Sequence, residues 1–457
     1  MSLVVAVDFG STFTKAIAVD AGSGDLIARA EHRTTVDTDV MDGWHACRTA
    51  LLAADSGVAT AEVLACSSAG GGLRIGVVGN EELVTAEAGR RVALSSGGRV
   101  VAVVNGGLTA TSLKKLRAER PDVVLLLGGT DGGNSAVITQ AASVLAKYRW
   151  RRPVVTAGNV EAQASIAEML SEASVPHVLA DNVVPEIGVF APDSARAAIR
   201  EMFLAHVIGG KNLSRDPGFA AMVRAATPDV VLRGVEVLAK LHGDVAVVDI
   251  GGATTDVHSV IELDPEDANL GREVVATHPV TRTVEGDLGM RWSAVPVVAA
   301  GIEAGLVSAD DAELAQAATR RHDDPSYLPG GAVEASYDET LARVAATVAL
   351  RRHAGRQRVV FGPGGRVIER SGKDLREVDL LVGSGGVLRH NGPEVAARIL
   401  GSVAAGAQEE GWLVPSDART CVDTDYVLAG VGLLADLDPA TAEGLAAHIH
   451  GTVEAGH

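Results

Sequence analysis

Two distant segments of this 457-residue chain repeat one pattern. The first is Val4-Val5-Ala6-Val7-Asp8-Phe9-Gly10-Ser11-Thr12-Phe13-Thr14-Lys15. The second is Val245-Ala246-Val247-Val248-Asp249-Ile250-Gly251-Gly252-Ala253-Thr254-Thr255-Asp256. Each is a short apolar run that ends in Asp and passes into Gly and small residues, the signature of a buried strand entering a tight turn. One such segment is weak evidence, since a Gly-rich hairpin turn can look the same. A matched pair, one in each half, predicts two related lobes that grip one nucleotide polyphosphate.

The chemistry of the pair supports that expectation. Glycine lets backbone N–H groups approach a phosphate without a Cβ clash. Gly10, Gly251 and Gly252 supply that approach, and Ser11, Thr12 and Thr254 add hydroxyl donors. Lys15 offers a point charge. Asp8 and Asp249, at the strand mouths, are the candidates to hold Mg²⁺, largely through its waters. They are also the candidates to orient an attacking water. Asp256 either assists or braces its loop. A third element, Gly383-Ser384-Gly385-Gly386, follows the apolar Leu380-Leu381-Val382 and precedes a helix. A Gly-rich turn after a strand is common, but this one is placed to suit adenosine. There is no GxxxxGK[ST] loop, no HExxH and no nucleophile elbow. His258 and His278 read as surface or internally satisfied side chains.

Charge and composition exclude other classes. The net charge of −18 disfavours nucleic acid and anionic membranes as partners. Only 3% of residues are aromatic, too few for a base-stacking platform. Cys47, Cys66 and Cys421 make no CxxC pair and no zinc spacing, so they read as ordinary thiols of a reducing compartment. The N-terminal apolar run stops at Asp8 and reads as a strand, not a signal peptide. No uncharged apolar run of about 18 residues stands out. A cytoplasmic protein is expected.

The length implies two or three domains. Residues 3 to about 31 read as strand, loop, strand, turn, strand. Residues 43–54 read as a helix, and Val63–Cys66 as a strand. From about residue 98, strands (Val100–Val104, Val123–Leu127, Pro153–Thr156, Val175–Leu179) alternate with helices, which indicates a parallel sheet with crossovers. Thr227-Pro228 opens a helix to about Leu241. A β-rich stretch at 256–285 contains Val257, Ile261, Val274 and Val275. Helices follow at 309–321, 334–354, 393–406 and 425–435. The predicted division is a first lobe (1–97), an inserted α/β domain (98–205), and a connecting helix with a second lobe (206–457).

With these residues in place, the chain resembles the actin, hexokinase and heat-shock-chaperone ATPase superfamily. The two Asp–Gly segments resemble its phosphate-1 and phosphate-2 motifs, and Gly383 to Gly386 its adenosine motif. The helix after Thr227-Pro228 resembles its first connecting segment. Ala253 departs from the pattern where some members carry a third Gly. The resemblance implies an α/β fold: two ribonuclease-H-like lobes around an ATP cleft, with an inserted parallel α/β domain.

A closer resemblance follows from four further segments: Cys66-Ser67-Ser68-Ala69-Gly70-Gly71-Gly72-Leu73-Arg74, Leu127 to Asn134, Glu285-Gly286-Asp287-Leu288-Gly289-Met290-Arg291, and Val382 to Val387. Together they are similar to the glutamate mutase L (MutL) family, which is unrelated to the mismatch-repair protein of the same name. That resemblance implies an accessory Mg-ATPase that services an adenosylcobalamin-dependent mutase or aminomutase, with ATP and Mg²⁺ as cofactors. The rival expectation is a small-molecule kinase with an acceptor site near Gly128 to Asn134, Glu285, Asp287 and Arg291. A filament-forming ATPase ranks third. The sequence leaves the client mutase and the oligomeric state open.

Overall fold

The computed structural model describes residues 2–211, 213–263, 278–362 and 365–452. The chain opens with an antiparallel meander: β1 (Leu3–Phe9), β2 (Phe13–Asp20) and β3 (Leu26–Arg33). β4 (Glu62–Ser67) then pairs parallel with β1 on its other side. β1 is buried along nearly all its length, as a central strand covered on both faces must be. β3 alternates apolar and charged residues and forms the edge.

The chain next builds β5 (Leu73–Val78), β6 (Gly98–Val104), β7 (Val123–Leu126), β8 (Val154–Thr156) and β9 (His177–Leu179). These make an all-parallel sheet in the order β6-β5-β7-β8-β9. Its crossover helices include Ala110–Ala118, Ala136–Lys147 and Val160–Glu172. Thr109 and Ser112 form a reciprocal capping box at the first of these. The parallel sheet therefore starts at Leu73, ahead of the alternation read from residue 98. Leu73–Val78 is short, with Leu73, Ile75 and Val77 alternating with Arg74 and Gly76, and its parallel pairing is set by strands later in the chain.

β10 (Val223–Ala226) returns to the first sheet beside β4, which completes the order β10-β4-β1-β2-β3. The helix Thr227–His242 leads on to β11 (Val245–Ile250), β12 (Thr255–Val260) and β13 (Val280–Glu285). A separate hairpin, β14 (Arg356–Gly362) with β15 (Gly365–Ser371), precedes β16 (Leu380–Ser384) and β17 (Arg419–Val422). The last sheet has the order β13-β12-β11-β16-β17. It repeats the first: a three-stranded antiparallel meander whose first strand is extended by two parallel strands. Two copies of this ribonuclease-H-like order, plus a parallel sheet, are the α/β fold expected from the sequence. Val274 and Val275, predicted to be β-rich, lie outside the described residues.

Two compact units result. One holds Met1–Gly234 and Ala429–Ala442, and the other runs from Val235 and consists chiefly of Pro279–Leu428. In the first, a single hydrophobic core joins Val5, Val7 and Phe9 of β1 to Ile75 and Val77 of β5 and Leu125 of β7. A second core lies on the other face of the parallel sheet, with Leu126, Ile138, Leu145, Ile166 and Leu170. The second unit packs β11, β12 and β16 onto the long helix Ala332–His353. The helix expected from residue 425 begins at Leu428, because Asp423 accepts the N–H groups of Val427 and Leu428 and Tyr426 takes a positive φ. Among the described residues no helix is long and apolar enough to cross a membrane.

His258 departs from the expectation of a satisfied side chain. It is buried on β12 and its Nδ1 has no hydrogen-bond partner. Burial, with the Arg282 guanidinium nearby, pushes its pKa down to about 3. His353, also buried and bonded to Ser259 and Thr283, is held well below its ordinary range by burial and by Lys373. Both rings stay neutral in the fold, while the unfolded chain takes up protons as pH falls through 6.5. Stability is therefore complete above that value and declines below it, by about 1.4 kcal/mol per pH unit for each such histidine. Chemical denaturation of the second unit should show a lower midpoint at pH 5 than at pH 7.5, and His258→Leu should flatten that dependence.

Candidate functional site

The two Asp–Gly segments fold into the same turn. In the first, the Gly10 N–H donates to the Phe13 carbonyl at 3.1 Å; in the second, the Gly251 N–H donates to the Thr254 carbonyl at 2.9 Å. The strand registers also match. Asp8 stands opposite Lys15 across β1 and β2, and Asp249 stands opposite Asp256 across β11 and β12. Directly opposed residues share a sheet face, so each turn carries its strand-end Asp and one further charged residue on the same side. A Cβ on Gly10 would sit 2.6 Å from the Phe13 carbonyl oxygen, and one on Gly251 2.9 Å from that of Thr254. The turn closes only with glycine there. Ser11, Thr12 and Ala253 are exposed at the tips, while Gly252, Thr254 and Lys15 are half-buried.

Different straps hold the two turns. The Thr34 hydroxyl donates to the Gly10 carbonyl at 2.8 Å and its N–H to the Thr12 carbonyl at 2.9 Å. The second turn is laced by the segment after β13: Met290 N–H to Gly251 O at 3.0 Å, Arg291 N–H to Gly252 O at 2.8 Å, and the Ser293 hydroxyl to Ala253 O at 2.7 Å. A Cβ on Gly289 would collide with the Ala253 backbone at 2.4 Å. The Glu285 to Arg291 segment is thus the clamp of the second turn. Its charged residues are engaged elsewhere: Glu285 and Asp287 pair with Arg352 at 2.8 and 2.7 Å, and Arg291 pairs with Asp338 at 3.1 Å. The Asp287 carboxyl is accordingly held below its usual range by Arg352.

The two aspartates opposite one another in the second turn differ in setting. Asp256 is bound by the Arg282 guanidinium from β13 and accepts from the Thr254 hydroxyl at 3.1 Å, which favours its bracing role. In the first unit Asp8 is only 4% exposed. Its Oδ1 accepts from the Thr227 hydroxyl at 2.5 Å and faces the Cys66 thiol at 3.5 Å. Cys66 lies beside Asp8 in register on β4. Burial and the Asp8 carboxylate raise the Cys66 thiol well above its ordinary range, and burial raises Cys47 to about 11 and Cys421 to about 12. All three are therefore thiols, not thiolates, at neutral pH.

Gly383 and Ser384 end β16 beside β11, with Ser384 in register with Asp249. Gly385 has φ of +98°, and a Cβ on it would lie 2.2 Å from the Ile250 carbonyl oxygen. It carries the chain over the second turn into Gly386, which is exposed at the start of the short helix Gly386–Arg389. The sequence-predicted phosphate-2 and adenosine motifs are thereby neighbours in one unit. Among the described residues, no three His, Cys, Asp or Glu side chains converge as a metal cage. Mg²⁺ bound with phosphates needs only one or two carboxylates, a requirement that Asp8 or Asp249 meets alone, each within its own unit.

Thr227, Cys66, Arg282 and Ser293 were not singled out for these contacts. Thr227-Pro228 was visible as a helix start, but its hydroxyl goes to a carboxylate 219 positions away, which no local signal marks.

The family described as MutL protein matches residues 4–449. The chain belongs to the MutL family. Protein MutL of Clostridium tetanomorphum is 33% identical to this MutL-family chain over 447 residues, covering 95% of it and 96% of the relative. Among solved structures, nucleotide-free acetone carboxylase is similar at 15% identity and a TM-score of 0.40, over 95% of this chain and 70% of the other. The activator of 2-hydroxyisocaproyl-CoA dehydratase from Clostridium difficile, with bound ADPNP, is similar at 11% identity and a TM-score of 0.27, over 100% and 99%. The strand order of the two repeated sheets, not these distant likenesses, assigns the fold.

Gly385→Ala tests the packing of the adenosine-like turn. The positive φ alone costs about 1–3 kcal/mol in a residue with a Cβ, before the contact with Ile250 is relieved. Urea denaturation of the variant should show at least that loss in the second unit.

Proposed function

We propose that this chain is an ATP-dependent accessory factor that services an adenosylcobalamin-dependent mutase or aminomutase of the glutamate mutase type. The observation that carries the ATP part is the duplicated turn: the same Gly N–H closure and the same Asp at the end of the first strand, in two sheets of identical order. The client part rests on membership of the MutL family.

In this reading both turns serve one Mg-ATP. Gly10, Ser11, Thr12 and Lys15 contribute from the first, and Gly251, Gly252, Ala253 and Thr254 from the second. Gly383, Ser384, Gly385 and Gly386 receive the adenosine. Asp8 and Asp249 hold Mg²⁺ through its waters and orient the attacking water. Asp256 keeps Arg282 and the second turn in place. Mg²⁺ supplies charge neutralisation for the phosphates. Nucleotide state would bias the two units between conformations, and work on a client requires that those conformations bind it with different affinity. The parallel α/β insertion is the part proposed to meet the mutase, where loss of the adenosyl group leaves spent cobalamin in a tight site.

A kinase would need an acceptor site near the γ-phosphate. Of the acceptor lining expected at Gly128 to Asn134, Glu285, Asp287 and Arg291, the last three residues are committed to Arg352 and Asp338, which favours the accessory reading.

Asp8→Ala should abolish ATP hydrolysis while circular dichroism remains that of the parent; hydrolysis at the parental rate would remove Asp8 from the site. Excess chelator should stop hydrolysis as well. The decisive assay incubates an inactivated cognate mutase with this chain, ATP, Mg²⁺ and fresh adenosylcobalamin. Recovery of mutase activity that depends on ATP is expected, and no recovery overturns the proposal. Release of ADP that instead tracks a small-molecule acceptor and yields its phosphate would establish a kinase.

A further inference from the structure

We infer that Thr227 is a positioning residue for Asp8, and that its hydroxyl decides which carboxylate oxygen the phosphate-1 turn presents. The inference rests on the nucleotide reading of that turn given above and goes beyond it by assigning a role to a residue outside the motif.

The argument is geometric. Asp8 is almost wholly buried at the end of a central strand, where a carboxylate needs donors. Its two oxygens have different surroundings. Oδ1 faces β4 and the connecting helix, where it takes the Thr227 hydroxyl at 2.5 Å and the Cys66 thiol at 3.5 Å. Oδ2 lies on the side of the turn, 3.5 Å from the place a Cβ on Gly10 would occupy. A hydroxyl-to-carboxylate bond of this length is charge-assisted and strong. It ties Oδ1 inward, and Oδ2 lies on the side of the loop whose backbone would meet the phosphates.

Thr227 is itself held. It is buried, and it opens a 16-residue helix with Pro228 at the second position. Two residues on, Asp229 receives a bidentate Arg200 guanidinium at 2.7 and 3.1 Å, with Arg196 at 3.8 Å. The first turn of the helix is therefore pinned, and the hydroxyl with it. The thiol of Cys66 cannot replace it, since S–H is a weak donor and the sulfur is a full ångström farther from Oδ1. The helix start, from Thr227 to Asp229, lies in the same compact unit as Asp8.

The test compares the parent with Thr227→Val, which keeps the shape and removes the donor, and Thr227→Ser, which keeps the donor. Mg-ATP affinity, single-turnover hydrolysis and thermal midpoint are measured on each full-length chain. The expected result is a fall in the hydrolysis rate of about tenfold or more in Thr227→Val, with ATP affinity changed less than threefold, and a rate restored to within about threefold of the parent in Thr227→Ser. A shift of the Mg²⁺ titration midpoint to higher concentration in Thr227→Val alone is expected too. If Thr227→Val does not fold, Thr227→Ala against Thr227→Ser gives the same comparison. A parental rate in the folded variant lacking the hydroxyl overturns the positioning role while leaving the ATP site intact. So does an equal loss in Thr227→Ser and Thr227→Val, because the hydroxyl would then not be the cause. A parent that binds no Mg-ATP removes the reading of the site and the positioning role with it.

Discussion

A carboxyl group at the end of a buried strand ties the start of the connecting helix to the first sheet. Asp8 lies on β1, the middle strand of its sheet, and has little access to water. An ionised carboxylate in that position needs hydrogen-bond donors. Two of them come from outside the strand: the Thr227 hydroxyl brings the start of the connecting helix against β1, and Cys66 stands in register on β4. β10 runs directly into Thr227, so the edge of the sheet and the origin of the helix are placed by the same contact. The bidentate Arg200–Asp229 pair fixes that origin a second time.

The second unit solves the matching problem by another route. Its turn has the same backbone closure but carries Asp256 where the first has Lys15, so two carboxylates stand opposite each other across β11 and β12. Two like charges facing across a ladder destabilise it. Arg282 on β13 answers Asp256, and the Met290–Ser293 clamp holds the turn by backbone bonds instead of by a helix start. The duplication is thus of strand order and turn geometry, and the supports have diverged.

The legible parts of this fold were those written in neighbouring residues. The strand–Asp–Gly turns, the hairpin between β2 and β3, and the helix from Thr109 carry local signals of apolar run, glycine and cap. The adenosine-like turn was legible because only glycine fits over Ile250. What escaped was long-range. The place of β5 in the parallel sheet is set by its partners β6 and β7, which lie later in the chain. The role of Thr227 toward Asp8, and the role of Ser293 under Ala253, are set by tertiary packing and leave no periodic trace. Glu285, Asp287 and Arg291 looked like an open polar lining because ion-pair partners such as Arg352 and Asp338 cannot be assigned from spacing alone.

The continuous core under β1, β5 and β7 has a consequence for how such a chain came to be and how it can be cut. An insertion that folds on its own can be excised and its ends rejoined. Here Ile75, Val77 and Leu125 belong to the same hydrophobic core as Val5, Val7 and Phe9, so removing the parallel sheet would open the core beneath the sheet that carries the first Asp–Gly turn. The two have been welded into one block. Sequence drift in either sheet is therefore constrained by the core that both share.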